Sequence, residues 1–295
     1  MDYETEYNNR ARVSDSADIL ASWPVRSELT RGRAVAADLG LPFGPTPRQR
    51  LDILWPDATR AAPVVLFLHG GYWQALHPRD MSFVAEGLNA RGVAVALPGY
   101  DLAPDVPLDT ILSQARAAAA HLFQLLHRRF AVSGHSVGGH LAAALTATTW
   151  TEVDPRLPDD MTPYGLGVSG LYDLVPLVQT SLNQKLNLSE EEARRLSPMF
   201  WQVPSGRVFE TFTGGLESAE YLRQGRDLAH AWTRRGVRAS ADVVEGVNHF
   251  TVVDHLADPD SNLVTRLAHL ATAAAALDGA ARGGLSFAPG QAYGL

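Results

Sequence analysis

The segment FAVSGHSVGGHLAAALTATTW, residues 130–150, decides the fold that we expect for this chain. Its beginning, 130–133, is typical of a buried strand, and the small, apolar run at 137–150 is typical of a helix packed against a sheet. Between them stands G-x-S-x-G, with Ser136 at its centre. A serine on a sharp strand-to-helix turn is raised above the sheet, and flanking glycines leave room for that turn. A chance match in a glycine-rich loop is the alternative, but the surrounding strand and helix favour Ser136 as a candidate nucleophile.

Further apolar runs predict a sheet around this segment. The clearest is PVVLFL at 63–68, which is continuous and β-branched at Val64 and Val65, as expected of a buried strand. The predicted strands are then 34–41, 50–55, 63–68, 92–97, 130–133, 165–169, 208–212 and 239–244. Helical patterns fill most of the gaps, at 81–91, 109–129, 137–150, 218–235 and 262–277. This alternation predicts an α/β fold with a mostly parallel central sheet and helices on both faces.

Three stretches depart from the alternation. Residues 1–33 precede the first strand and look helical and amphipathic. Residues 174–205 lie between two predicted strands, and we interpret them as a small cap over the sheet edge. Within this cap Ser189 and Glu192 form a capping box that opens a short helix. Residues 281–295 are rich in glycine and small residues, as is typical of a tail. Nothing resembles a linker, so we predict one domain over 1–295.

The composition excludes several classes of protein. The chain has 295 residues, 46% of them hydrophobic and 19% charged, which suits a globular protein with a sizeable core. It has no cysteine, which excludes disulfides, thiolate metal sites and a cysteine nucleophile. A net charge of −7 disfavours binding to nucleic acid or anionic lipid. The apolar runs are far shorter than the roughly 20 residues of a membrane span. The polar start MDYETEYNNRARV is unlike a signal peptide, so we expect a cytoplasmic protein.

A second motif directly follows the strand at 63–68. The segment HGGYW, residues 69–73, stands where acyl-transfer enzymes with this serine turn carry part of their oxyanion hole. Backbone N–H groups in such a loop stabilise the negative charge that develops on the carbonyl oxygen. We assign this role to Gly71 and Tyr72, together with Val137 after the serine. The alternatives are an ordinary turn for the glycines and core packing for the rings.

A serine nucleophile needs a base and an acid, and with this turn they follow in the order serine, acid, histidine. The candidate base is His249, in the loop after the last predicted strand, because we expect His255 in the next element to face solvent. The candidate acid is Glu217, in the loop after the preceding strand. Asp173 and Glu220 are rivals for the acid, and Glu217 could instead serve only to open the next helix.

In four motifs the chain resembles the arylformamidase (kynurenine formamidase) branch of the α/β-hydrolases and the bacterial esterases grouped beside it. The motifs are HGGYW at 69–73, GHSVGGH at 134–140, SGLYDL at 169–174 and NHF at 248–250. The resemblance covers most of residues 35–275 and implies the α/β-hydrolase fold. It also implies Ser136 as nucleophile, Glu217 as acid and His249 as base, with neither a metal nor an organic cofactor.

The segment GGLESAEYLRQ, residues 214–224, is similar to the acid loop of that branch but departs from it. Glu217 stands where the family usually has aspartate, and Ala219 and Tyr221 replace its proline and phenylalanine. Val137 stands where alanine is common. These departures leave the hydrolase chemistry intact and leave the identity of the substrate open.

We therefore predict a serine hydrolase that cleaves a small carboxyl ester or an aryl formamide or amide through an acyl-enzyme. The alternatives are a general carboxylesterase without formamidase activity, a peptidase or thioesterase, and a non-catalytic binding protein of this fold. The resemblance also implies a possible homodimer. Six side chains are candidate substrate contacts: Trp73, Tyr100, His135, Tyr172 and Phe250 in or near the motifs, and Asn183 in the predicted cap.

Overall fold

The computed structural model describes residues 2–283, and an eight-stranded sheet runs through its centre. The strands are β1 (Ala36–Pro42), β2 (Arg50–Trp55), β3 (Val64–Leu68), β4 (Ala94–Pro98), β5 (Ala131–His135), β6 (Tyr164–Val168), β7 (Val208–Gly214) and β8 (Arg238–Val244). Their order across the sheet is β1-β2-β4-β3-β5-β6-β7-β8. β1 and β2 are antiparallel to their neighbours, whereas β4, β3, β5, β6, β7 and β8 are parallel. The predicted α/β fold with a mostly parallel sheet is confirmed.

The helices lie largely where their patterns predict them. In the described range they are α1 (Tyr3–Tyr7), α2 (Asn9–Arg12), α3 (Ser16–Arg33), α4 (Ala85–Ala90), α5 (Leu108–Leu126), α6 (Val137–Thr146), α7 (Trp150–Val153), α8 (Asn183–Leu186), α9 (Glu190–Arg195), α10 (Ala219–Thr233) and α11 (Asn262–Gly283). Short 3₁₀ helices occupy Pro78–Val84, Val175–Gln179, Pro198–Phe200 and Val252–Leu256. None of the helices in residues 2–283 combines the length and apolarity that a membrane crossing requires.

Several helix ends differ from the prediction. The helix predicted at 109–129 ends earlier, at Leu126, because His127 takes a left-handed conformation with φ of 51° and its N–H closes the last turn. The pattern at 137–150 is divided into α6 and α7, and the pattern at 81–91 into a 3₁₀ turn and α4. Periodicity marks the buried face of a helix well but its ends poorly, because local backbone conformation sets the ends.

Both faces of the sheet are buried. On β3, Val64, Leu66 and Leu68 pack into one core, and the alternate residues Val65 and Phe67 pack into the other. Residues of α5, α6 and α10 cover the first face, and residues of α3, α4 and α11 cover the second. A strand buried on both sides must be apolar at every position, which explains the unbroken apolar run that predicted it.

The three irregular stretches take different forms. The N-terminal stretch folds into α1, α2 and α3, as its helical pattern predicts. The stretch at 174–205 holds α8, α9 and two 3₁₀ helices, and the capping box of Ser189 and Glu192 opens α9. At the other end, α11 continues to Gly283, so 281–283 are helical, and the rest of the predicted tail, 284–295, lies outside the described residues.

The parallel strands bring distant segments together. Because β3, β5, β6, β7 and β8 run in one direction, their carboxyl ends meet at a single edge of the sheet. The loops that leave this edge carry HGGYW, Ser136, SGLYDL, Glu217 and His249. Every motif that the sequence singles out therefore lies at the same edge.

Three buried histidines make the fold sensitive to acid. Each of His69, His135 and His140 donates one ring N–H to a backbone carbonyl, and its other ring nitrogen is buried without a partner among the described residues. Burial lowers the pKa of His69 to about 3 and that of His140 to about 4, and it lowers the pKa of His135 well below its usual 6.5. Protonation would bury an unpaired charged N–H in each ring.

We expect the free energy of unfolding to fall as the pH drops below about 6.5. In that range the three histidines take up protons in the unfolded chain but not in the folded chain. Their contribution to the free energy of unfolding is therefore full above pH 6.5, and it is lost as the pH falls towards their folded-state pKa values. Each ring contributes up to about 1.4 kcal/mol per pH unit. Urea unfolding at pH 7.5, 6.0 and 5.0 measures this, and His140→Asn should reduce the slope. Equal stability at pH 7.5 and 5.0 would contradict the expectation.

Candidate active site

Ser136 occupies a strained turn between β5 and α6. Its backbone has φ of 58° and ψ of −121°, and its N–H donates to the carbonyl of Val168 at 2.8 Å. A Cβ at Gly134 would lie 2.3 Å from the carbonyl oxygen of Gly138, and a Cβ at Gly138 would lie 2.0 Å from that of Leu68. Both approaches are far too close for any side chain. The glycines of G-x-S-x-G are therefore required by backbone packing, as the sequence predicts.

The loop after β3 folds against this turn. Gly71, Tyr72 and Trp73 have φ of 105°, 54° and 56°, and a Cβ at Gly71 would lie 2.3 Å from the carbonyl oxygen of Ala75. Within residues 2–283, the backbone N–H groups of Gly71, Tyr72 and Val137 donate to no backbone or side-chain acceptor. Free N–H groups at the start of α6 and in the facing loop could bind an oxyanion.

His249 and Glu217 are in direct contact. Nδ1 of His249 lies 2.6 Å from Oε2 of Glu217, and both side chains are almost fully buried. The other carboxylate oxygen accepts from the N–H of Gly214 at 2.6 Å and from the hydroxyl of Ser169 at 2.5 Å. A carboxylate can only accept here, so Nδ1 carries the imidazole proton and Nε2 is free to accept one. This is the tautomer that a general base requires.

The two rival acids lie elsewhere. Asp173 accepts from the N–H of Val175 at 3.1 Å and lies 3.7 Å from Arg223. Glu220 accepts from the hydroxyl of Tyr7 at 2.6 Å and pairs with Arg223 at 2.7 Å. Among the contacts of the described residues, neither carboxylate reaches the imidazole of His249.

Ser136 and His249 line the same small cavity, about 20 Å³ in volume. Among the hydrogen bonds between described residues, none joins the hydroxyl of Ser136 to the imidazole. In enzymes without substrate such a contact is often long or poorly aligned, and it tightens when the substrate binds. Leaving out these two residues, the lining is Arg10, Leu20, Trp23, Gly71, Tyr72, Leu76, His135 and Phe250.

The N-terminal stretch forms one wall of this cavity, through Arg10, Leu20 and Trp23. It is attached at several points: the hydroxyl of Tyr72 donates to the backbone carbonyl of Tyr7 at 2.7 Å, and Glu4 accepts from the N–H of Ser181, in the stretch at 174–205, at 2.7 Å. The sequence analysis missed these wall residues. Its only signal was the amphipathic pattern of 1–33, which does not indicate the surface that such a helix covers.

Two of the six candidate substrate contacts line the cavity. Phe250 packs edge-on against the ring of His249, with centroids 5.5 Å apart. His135 also lines it, but its Nε2 donates to the backbone carbonyl of His249 at 2.8 Å. That bond fixes the loop that carries His249. Trp23 packs against both residues and so completes an aromatic wall.

The other four candidate contacts lie outside the cavity lining. Trp73 is buried edge-on against His140, and Tyr100 is stacked on His69 with centroids 4.2 Å apart. Tyr172 packs edge-on against Phe209 in the core. Asn183 bonds backbone groups of Val178 and Leu188 and so closes the turn at α8. These side chains build the structure beneath and beside the site, and no observation of the structure gives them a contact with a ligand.

Comparisons with known proteins agree with this fold. A family model described as an alpha/beta hydrolase fold matches residues 65–253. The chain therefore belongs to the α/β-hydrolase family, and several proteins to which it is similar are kynurenine formamidases. A kynurenine formamidase of Salmo salar is 32% identical, over 82% of this chain and 84% of that protein, and one of Danio rerio is 31% identical, over 82% and 85%.

Solved structures also support the α/β-hydrolase fold. A protein of Silicibacter sp. TM1040, provisionally named a thioesterase, aligns with a TM-score of 0.81 at 30% identity, over 90% of this chain and 98% of that chain. An esterase of Pyrobaculum calidifontis aligns with a TM-score of 0.70 at 20% identity, over 89% and 93%, which supports the fold alone. Together the relatives place the chain among hydrolases of the ester- or amide-cleaving type.

Proposed function

We propose that this protein is a serine hydrolase that cleaves a small aryl formamide or a short-chain carboxyl ester through an acyl-enzyme. The observation that carries the proposal is the 2.6 Å contact between His249 and Glu217, beside a cavity that Ser136 shares. Two relatives named kynurenine formamidase, each more than 30% identical over most of both chains, favour a formamide.

In the proposed reaction, Nε2 of His249 takes the proton from Ser136 while the serine oxygen attacks the carbonyl carbon. The N–H groups of Gly71, Tyr72 and Val137 bind the resulting oxyanion. The leaving group departs with the proton from His249, and the carbonyl reforms on the serine. Water then repeats the sequence and releases the acid. Glu217 holds the imidazole tautomer throughout, and no step requires a metal or an organic cofactor.

The size of the cavity favours a small acyl group. About 20 Å³ is enough for one water molecule, and the aromatic wall of Trp23, His135 and Phe250 is held by direct ring contacts. A formyl group has only two heavy atoms, so it needs less widening of this space than any longer acyl group. A long acyl chain would have to displace the N-terminal wall.

A substrate panel tests the proposal. We expect turnover of N-formylkynurenine and phenyl acetate, and slower turnover of p-nitrophenyl butyrate. Turnover of the esters without the formamide would identify a general carboxylesterase. The absence of a leaving-group burst with p-nitrophenyl acetate, together with no turnover of the panel, would identify a non-catalytic protein and overturn the proposal.

Trp23→Ala should both destabilise the protein and relax its preference for short acyl groups. Trp23 is 1% exposed and packs against Phe83, His135 and Phe250, so its truncation should cost about 3–5 kcal/mol in unfolding free energy. The space it leaves adjoins the cavity, so the rate ratio of p-nitrophenyl hexanoate to acetate should rise.

Trp232→Ala is the matched control for this change. Trp232 is equally buried but belongs to the other core, where it packs against Phe209. The variant should lose stability without a change in the ratio of the two esters. An unchanged ratio in Trp23→Ala, or an equal rise in the control, would contradict the assignment of Trp23 to the cavity wall.

A further inference from the structure

Arg10 carries a positive charge in the lining of the cavity that Ser136 and His249 share. The described lining holds no aspartate or glutamate, and its second histidine, His135, stays neutral because burial lowers its pKa well below 6.5. Within residues 2–283 the guanidinium of Arg10 has neither an ion pair nor a hydrogen bond. The whole chain has a net charge of −7, but the lining of this cavity favours a negatively charged group.

The end of a helix does not account for this arginine. Arg10 and Arg12 both lie in the last turn of α2, where a basic side chain interacts favourably with the helix dipole. Arg12, however, lines a separate groove together with Asp15 and Leu216, outside the cavity. The helix end acts on both arginines alike, so it gives no reason for one of them to line the catalytic cavity.

Trp23 adds a second unused donor to the same wall. Its side chain is 1% exposed, it lines the cavity, and its indole N–H has no acceptor among the described residues. The rings of Phe83, His135 and Phe250 pack around it and hold its position. An indole N–H can only donate, and burying it without an acceptor is costly. An acceptor on a ligand in the adjoining cavity would remove that cost.

The wall leads from the interior of the protein to its surface. Trp23 is buried, whereas the side chain of Arg10 is exposed and therefore lies at the mouth of the cavity. The cavity has a volume of about 20 Å³, so the space beside Ser136 suits a small acyl group and the rest of the substrate extends towards the mouth. A group that meets both donors therefore belongs to the leaving group.

We propose that Arg10 and Trp23 form a subsite for a carboxylate on the leaving group, to which the guanidinium supplies the charge and the indole N–H a further hydrogen bond. This rests on the proposed function and extends it to a substrate class: aryl esters and formamides whose leaving group is anionic. A planar carboxylate matches the parallel N–H groups of a guanidinium, and one arginine balances its single charge. A phosphate dianion would need a further cation, which the described lining does not offer.

A pair of esters that differ in charge tests the subsite. 3-Acetoxybenzoate carries the carboxylate, and 3-acetoxybenzamide has a neutral amide in its place. Each kcat/KM is divided by the rate of alkaline hydrolysis, which corrects for the reactivity of the leaving group. For the parent we expect the benzoate to exceed the benzamide by at least about 5-fold, the effect of one charge-assisted hydrogen bond at a partly exposed site. The 4-acetoxy pair covers the other ring position.

Substitutions of Arg10 identify the residue responsible. Arg10→Gln should abolish the preference for the benzoate, whereas Arg10→Lys keeps the charge and should retain part of the preference. In the parent the preference should also shrink as NaCl rises from about 0.02 M to about 0.5 M. Arg12→Gln is the matched control, because it removes the same charge from the same helix end but outside the cavity. It should leave the preference unchanged.

Trp23→Phe tests the second donor. It removes the indole N–H and keeps an aromatic ring in the wall, and it should lower the preference for the benzoate by about 3-fold or more. Trp232→Phe is its control, because Trp232 is equally buried but its N–H donates to the carbonyl of Pro198 at 3.0 Å, outside the cavity. Each result is a ratio of two substrates on one preparation, so a partial loss of folded protein cancels.

The outcomes separate this inference from the proposed function. Equal corrected rates for benzoate and benzamide at both ring positions in the parent overturn the inference alone. A preference that survives in Arg10→Gln or Trp23→Phe, or that falls equally in Arg12→Gln or Trp232→Phe, also overturns it. Labelling of Ser136 by a fluorophosphonate needs no carboxylate. Failure of that labelling in the parent, with neither ester hydrolysed, would remove the proposed function and this inference with it.

Discussion

Ser136→Ala should reduce kcat for both formamide and ester by about 10⁵- to 10⁶-fold, the effect of removing a serine nucleophile that works together with a histidine. It should also abolish labelling by a fluorophosphonate, read as the loss of the adduct in the intact mass. The substitution removes one oxygen from a turn whose backbone is held by the glycines and by the bond to Val168. Stability should therefore change little, and the loss should be chemical.

Ser133→Ala is the control for this experiment. Ser133 lies three residues earlier in β5 and is equally buried, and its hydroxyl has no partner among the described residues. The variant should keep the parent's activity and its probe adduct. Labelling that survives in Ser136→Ala, or a comparable loss of activity in Ser133→Ala, would place the nucleophile elsewhere.

Glu217→Gln should reduce kcat by about 10⁴-fold with the fold intact. The side-chain oxygen of glutamine can still accept from Gly214 and Ser169, which hold one carboxylate oxygen in the parent. Its NH₂ group then faces Nδ1 of His249. To accept from that group, the imidazole must move its proton to Nε2, where it can no longer remove the proton of Ser136. Circular dichroism and kcat, measured on one preparation, separate this effect from unfolding.

Asp173→Asn is the comparison that decides between the two candidate acids. Asp173 contacts Val175 and Arg223, away from the imidazole. Replacing its carboxylate by an amide should therefore leave kcat within about 3-fold of the parent value. A loss of about 10⁴-fold in Asp173→Asn, with Glu217→Gln close to the parent, would reverse the assignment.

The sequence predicted the strands and the site loops well for one physical reason. A strand buried on both faces must be apolar throughout, so β3 and β5 stand out as short unbroken runs. The turn at Ser136 leaves no space for side chains beside it, so only glycine serves at 134 and 138. These requirements act within a few residues along the chain, so they can be recognised from the sequence alone.

Helix ends and substrate contacts are harder to predict from the sequence. The end of α5 depends on a left-handed His127, and the burial of Trp73, Tyr100 and Tyr172 depends on partners far away in the sequence. An aromatic residue beside a catalytic motif has the same identity whether it faces the cavity or the core. The sequence does not distinguish these cases, because the direction of a side chain follows from backbone geometry and from neighbours.

By itself, then, the sequence determined the fold class, the serine turn, the facing glycine loop and the candidate histidine, since each obeys a local steric or chemical rule. Tertiary structure alone decided that Glu217 and not Asp173 meets His249, and that the N-terminal stretch walls the cavity. Each of these depends on the distance in space between residues that are far apart in the chain. The order of the strands in the sheet and the packing of helices on it together fix such distances.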